Sequence, residues 1–210
     1  MASEDDQVEI IDRTTPYRGY LRVDTYRLRH QIFGQGWSDA IHREIMERGH
    51  AVGVLPYDPI ADRVILIEQF RIGGYCAPGF SPWQIECVAG IIEPGHGAEE
   101  TARREALEEA NVEVGALEPI AHYLTSPGAT SESIQLYCGH ADSSGVGGIH
   151  GLAHEHEFIR VFTAPAYAAF DMVGDGRVAN SMTVIALQWL KLNRDLMRDR
   201  WGPHYQIGDL

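Results

Sequence analysis

The chain reads as an α+β protein, a mixed sheet with helices packed around it. Three observations point there: short β-branched runs bounded by Gly and Pro between Val8 and Ala89, a stretch of strong helix formers from Gly97 to Asn111, and two more helical segments toward the carboxy terminus. With 210 residues the chain suits one large domain, or one domain with an added element. A chain of that length can bury a core without disulfide or metal staples.

Taken in order, Met1 to Gln7 is small and acidic and reads as a frayed, disordered tail. Val8 to Gly49 is strand-like: Tyr20, Arg22, Asp24, Tyr26, Leu28 and His30 alternate with Leu21, Val23 and Thr25, and Gly34-Gln35-Gly36 reads as a turn. Val52 to Pro56 and Val64 to Glu68 flank a second turn at Asp58-Pro59. Arg71 to Pro82, rich in Gly and Pro, reads as a loop, and Trp83 to Ala89 as one strand ended by Gly90. Gly97 to Asn111 has acids in its first turn and an asparagine where a left-handed cap would end the helix. His122 to Thr125 and Ser133 to Gly139 read as strands joined through Ser126-Pro127-Gly128, and Ser143 to His156 as a long polar loop. Phe158 to Thr163 is a last strand, followed by helices over Pro165 to Met172 and Met182 to Arg198.

Thirty acids against seventeen Lys and Arg leave a formal charge of -13. That balance excludes a general nucleic-acid binder, which needs cations to displace phosphate counterions, and disfavours an anionic membrane surface. No apolar run approaches the length of a bilayer span. Cys76, Cys87 and Cys138 form no paired framework, and the start lacks the pattern of a secretory signal. The expected setting is reducing and cytoplasmic.

Chemistry gathers in Arg104-Glu105-Ala106-Leu107-Glu108-Glu109. A helix puts Glu105, Glu108 and Glu109 on one face, where they repel one another. Such a face is either simply solvated or a site for a hard divalent cation such as magnesium, and spacing alone leaves both open.

Gly90-Ile91-Ile92-Glu93-Pro94-Gly95, followed by Arg104-Glu105 and Glu108-Glu109, resembles the Nudix box, G-x5-E-x7-R-E-U-x-E-E-x-G-U. His96 stands where the first glutamate belongs and Asn111 where the last glycine belongs; Asn tolerates the left-handed conformation, so the second change is mild. Leu66 to Arg71, Ser126-Pro127-Gly128 with Ser131-Glu132, Gly148 to Leu152 and Val184 to Leu190 resemble segments of the bacterial ADP-ribose pyrophosphatases of that family.

The resemblance implies an α/β/α Nudix sandwich over 50–210, preceded by a strand region over 1–49 that is exchanged in a homodimer. It implies Mg²⁺-dependent hydrolysis of ADP-ribose to AMP and ribose 5-phosphate; Mn²⁺, which accepts nitrogen ligands more readily, is the alternative ion that His96 leaves open. Glu105, Glu109 and the carbonyl of Ala89 are the implied metal ligands; Glu108 acts through the metal shell or its waters, and Arg104 orients a box glutamate. The general base is assigned to Glu155, with Glu157 assisting or binding metal. Arg71 is matched to the diphosphate and Arg43 is a further cation for it. Tyr20, Leu21 and Trp83 are candidate walls for adenine, and Glu86 an acceptor for a ribose hydroxyl or adenine. His150, His154 and His156 are a weaker zinc constellation, since the glutamates between them suit magnesium better. The alternatives are another nucleoside diphosphate sugar, such as GDP-mannose, or a non-catalytic ADP-ribose-binding regulator.

Overall fold

A computed structural model describes residues 7–152 and 157–203. The chain divides into two compact units, Met1–His50 with Leu124–Ser133, and Ala51–Tyr123 with Ile134–Leu210.

The first unit is an antiparallel sheet built on β2 (Arg22–Ile32), which pairs with β1 (Val8–Arg18), β3 (Gly36–Trp37) and β4 (Ile41–Glu47). Gly34 and Gly36 carry φ of +69° and +77°, the left-handed values that the tight β2–β3 connection demands and glycine supplies freely. Fully buried on β2, Asp24 accepts from Thr15 at 2.6 Å, Arg13 at 2.5 Å and Arg22 at 3.0 Å. Thr15 and Arg13 hold its carboxyl down at about 2, so one charge ties β1 to β2. The Ser126-Pro127-Gly128 loop belongs with this unit: Met46 N–H donates to Ala129 O at 2.8 Å and Ser131 Oγ donates to Glu47.

The second unit holds an eight-stranded sheet. Its order is β11 (Gly148–His150), β12 (Ile159–Pro165), β6 (Arg63–Phe70), β5 (Ala51–Asp58), β10 (Ser133–His140) and β9 (Leu117–Leu124). Further pairs join β7 (Trp83–Glu86) to β6 and β8 (Val88–Ile91) to β5. β5 runs parallel to β10 and antiparallel to β6 and β8, which makes the sheet mixed. Every residue of β5 is buried, as a central strand covered on both faces requires. Alternation then sorts its side chains. Val52 and Val54, with Ile65 and Ile67, pack against Ala102, Ala106 and Ala110 of α2 (Ala98–Ala110). Leu55 and Tyr57, with Val64 and Leu66, pack against α3 (Ala166–Gly174) and α4 (Ser181–Trp201). The result is the α/β/α sandwich that the resemblance implied.

Three local readings are corrected. The Arg71 to Pro82 stretch contains a single helical turn, α1 (Ile72–Cys76), hidden by its two glycines and burying none of its residues. Trp83 to Ala89 is two strands, because the chain changes partner at Cys87. There the Cys87 N–H leaves the ladder and donates to Thr183 Oγ1 at 2.8 Å. The loop after Ser143 contributes the short strand β11, whose pairing with β12 compensates for its glycine-rich sequence. The helix ends differ from expectation by three residues or fewer.

Asn180 caps α4 and fastens it to the sheet: its Oδ1 accepts from Thr183 N–H at 3.0 Å, and its Nδ2 donates to Ile85 O at 2.7 Å. Asn180→Ala removes the cap and leaves a strand carbonyl unpaired. We expect a loss of about 1–2 kcal/mol in urea unfolding, and an unchanged midpoint would contradict this role for the side chain.

Candidate active site

The site begins where β8 turns toward α2. Gly90 lets Glu105 lie close: a Cβ at this position would overlap the Glu105 carboxylate and displace it. The helix ends at Asn111, whose φ of 52° and ψ of 44° are the left-handed values an asparagine accepts. Between these ends, the small side chains of Ala102, Ala106 and Ala110 let α2 lie close to the sheet, and Glu109 is buried on the same side.

Glu109 is only 4% exposed and accepts from Ala89 N–H at 3.2 Å. Burial pushes its carboxyl up to about 8; Glu105 and Glu157 reinforce the rise, while the Ala89 N–H and Arg71 oppose it. Glu105 is raised for the same reasons, burial first, with Arg104 opposing. Arg104 bridges Glu105 at 2.8 Å and Glu108 at 2.7 Å, and so organises the more exposed acids of the helix face.

Glu157 enters from the segment after β11, where its N–H donates to Leu152 O at 3.3 Å around Gly151, whose φ is +97°. Its charge bears on Glu105, Glu109 and Arg71. Glu155, His154 and His156 lie outside the described residues. His150 directs Nε2 to Gly147 O at 2.9 Å. His96 pairs with Glu100 at 3.2 Å on the first turn of α2 and lowers that carboxyl by hydrogen bonding.

Beside the acids, Glu86 on β7 takes both Nε and Nη2 of Arg71 on its Oε2, each at 2.9 Å. The same oxygen accepts from the buried Gln69 at 3.2 Å. Trp83 meets Phe70 edge to face, with ring centroids 6.1 Å apart and both rings about half exposed. A cleft of about 290 Å³ opens here, lined by Arg71, Gly74, Phe80, Gln84, Glu86 and Asn180 among others. Gln69, Gln84 and Asn180 were missed from sequence. A signal existed for Gln84, which shares a strand face with Glu86 two residues on; nothing local marked Gln69 or Asn180.

Tyr20, Leu21 and Arg43 belong to the first unit. Tyr20 is exposed in the bend after β1, where Leu21 O accepts from Gly19 N–H at 2.8 Å, and the Arg43 guanidinium donates to His42 O at 2.8 Å.

Among the described residues, no three acids, histidines or cysteines already form a metal cage. The donor set nevertheless fits a hard cation. Magnesium uses one or two carboxylates and completes its shell with waters and substrate phosphates. Burial and the charge of Glu157 raise the hold of Glu105 and Glu109 on a proton, a cost that a nearby cation would offset.

Residues 47–194 match the NUDIX domain. The chain is 46% identical over 195 residues to an ADP-ribose pyrophosphatase of Escherichia coli (strain K12), covering 93% of each chain. It is 33% identical over 146 residues to a GDP-mannose pyrophosphatase of Pectobacterium atrosepticum, covering 70% of this chain and 75% of that one. A crystal structure of an ADP compounds hydrolase superposes with a TM-score of 0.68 at 20% identity, over 92% of this chain and 96% of the other, which shows the shared fold.

The raised Glu109 carboxyl sets a pH dependence for the metal-free protein. Its folded value is about 8 against an ordinary 4.5, so across that window the native state keeps a proton that the unfolded chain has lost. Stability therefore falls as pH rises from about 5 to about 8, and Glu109→Gln flattens the fall. Urea titrations in EDTA would measure it; equal slopes for the two proteins would contradict the burial of this charge.

Proposed function

Because the chain belongs to the NUDIX domain family, we propose that it hydrolyses the diphosphate of ADP-ribose to AMP and ribose 5-phosphate with Mg²⁺. The carrying observation is the pair Glu105 and Glu109 on α2, both raised first by burial and further by the charge of Glu157, with Ala89 N–H on Glu109. Similarity along 93% of an ADP-ribose pyrophosphatase supports ADP-ribose over GDP-mannose, whose relative matches less of this chain at lower identity. Retention of Arg104, Glu105, Glu108 and Glu109 argues against a regulator that only binds.

Glu105, Glu109 and the Ala89 carbonyl are the residues assigned to hold the ion. When bound, Mg²⁺, or Mn²⁺ in its place, supplies neutralisation of the diphosphate and a lowered pKa for an attacking water. Arg104 keeps Glu105 and Glu108 in place, and Arg71 faces the diphosphate. Glu155 is the base: it takes the proton of the water whose oxygen bonds to phosphorus, as the bridging P–O bond opens and its electrons leave with the departing phosphate. Glu157 assists from within the acid cluster.

The strand region supports a homodimer with exchanged strands. β1 is exposed along its whole length, with Val8, Ile10, Ile11 and Tyr17 among the uncovered apolar groups. In that reading Tyr20 and Leu21, with Trp83, take the adenine of the substrate, and Arg43 its diphosphate. Cys76, Cys87 and Cys138 are free thiols, which suits a reducing, cytoplasmic compartment.

Chromatography of products from ADP-ribose, ADP-glucose, GDP-mannose and NADH tests the substrate. AMP should appear fastest from ADP-ribose and vanish with EDTA; preference for another sugar would move the substrate and keep the family. Glu155→Gln should lower kcat by roughly 100- to 10,000-fold with little change in KM. Near-normal turnover there, with Glu157→Gln inactive, would transfer the base to Glu157.

A further inference from the structure

We propose that Thr183, together with Asn180, is a positioning residue for the metal site: it fixes the point where the chain crosses from β7 to β8 and so aims the carbonyl of Ala89. The proposal rests on the assignment of Ala89, Glu105 and Glu109 to the ion, and adds what holds that carbonyl in place.

The crossing lies where the sheet divides. β5 and β6 pair where their hairpin closes, at Tyr57–Val64 and Asp58–Arg63; further along, β7 runs beside β6 and β8 beside β5. Cys87 stands between the two strands, and its N–H donates to the Oγ1 of the fully buried Thr183 at 2.8 Å. Two residues earlier, the Ile85 carbonyl accepts from Asn180 Nδ2 at 2.7 Å. These two backbone groups flank Glu86, and in an antiparallel sheet a neighbouring strand would bind both. Here two side chains from the start of α4 take the place of that strand. They are also tied to each other, since Asn180 Oδ1 accepts from Thr183 N–H at 3.0 Å. The residue between them presses on β5: a Cβ at Gly53 would overlap Met182 Sδ, and Gly53 is the register partner of Ala89.

Ala89 follows two residues past the crossing. The N–H and C=O of one strand residue point to the same edge. Ala89 N–H donates to Glu109 Oε2 at 3.2 Å, so its carbonyl opens on the edge that Glu109 occupies. A carboxylate and a carbonyl turned to one place are oxygen donors of the kind a hard cation takes. Their common direction depends on the twist of the chain from Cys87 to Ala89, which Thr183 anchors at one end and Glu109 at the other. Glu109 is not free to follow a strand that turns, because α2 is packed on the sheet through Ala102, Ala106 and Ala110. Without its acceptor, the Cys87 N–H is a buried donor left unpaired, and the crossing turns to find a partner.

Two substitutions separate positioning from packing. Thr183→Val keeps the shape of the side chain and removes the acceptor; Thr183→Ser keeps the acceptor and removes a methyl group. Calorimetry reads the binding of Mn²⁺ alone to the full chain, beside the thermal midpoint of each variant. Thr183→Val should raise the Mn²⁺ dissociation constant about tenfold, the lower end of the effect of removing a partner behind a metal ligand, and Thr183→Ser should bind as the wild type does. A purely structural role lowers the midpoints and leaves the constant alone, and that result in Thr183→Val would overturn the proposal. So would an equal loss of affinity in both variants. Asn180→Ser gives a test independent of whether Thr183→Val folds: serine still caps α4 but has no amide to donate to the Ile85 carbonyl. It should weaken Mn²⁺ binding too, and unchanged affinity there also overturns the proposal. The two readings fail differently. A wild type that binds no Mn²⁺ refutes the metal assignment and the positioning with it, whereas equal binding by wild type and Thr183→Val refutes the positioning alone.

Discussion

The site depends on holding the Glu109 carboxylate where water scarcely reaches it. Such a group is costly unless something compensates its charge, and the protein itself provides only the Ala89 N–H and the more distant Arg71. The surroundings are built to keep it there. Alanines bring α2 down onto the sheet, Gly90 leaves room for the neighbouring Glu105, and the strand holding Ala89 is carried by the central, fully buried β5. In the proposed reaction a divalent cation would supply the compensation that Glu109 lacks.

The change of strand partner at Cys87 serves the same end. β7 follows β6 and carries Gln84 and Glu86; β8 follows β5 and carries Ala89 and Gly90. One stretch of chain thereby places its first half beside Arg71 and its second half beneath α2. Thr183 accepts the N–H released at the break, and Asn180 binds the carbonyl of Ile85 just before it, so the start of α4 stabilises the switch. A helix on the far side of the sheet from α2 therefore takes part in holding the site.

The local cations are already engaged. Arg104 lies between two glutamates and Arg71 is paired with Glu86, in a chain whose overall charge is -13. In the proposed reaction a diphosphate would meet a field that disfavours it, and a bound cation would reverse the sign there. The arginines then act chiefly through geometry, as planar donors held in known orientation.

Much of this was legible before any fold was seen. Helix α2 announces itself through composition and ends at an asparagine, and the order of acids along it is a matter of spacing alone. Alternation and glycine turns marked the strand region, and β-branched runs marked β5 and β6. The break at Cys87 was illegible because Thr183, which accepts its N–H, lies far along the chain, and the short helix after Arg71 and strand β11 were hidden by their glycine-rich sequences. By itself the sequence carried the resemblance to the NUDIX family and its sandwich, through motifs spread along the chain, and set the order of acids along α2, which is a matter of spacing. Only the tertiary structure decided that Glu109 is the buried acid, that Gln69 and Arg71 share one oxygen of Glu86, and that Gln84 faces a cleft. Burial and convergence depend on which surfaces meet, and no local pattern encodes that.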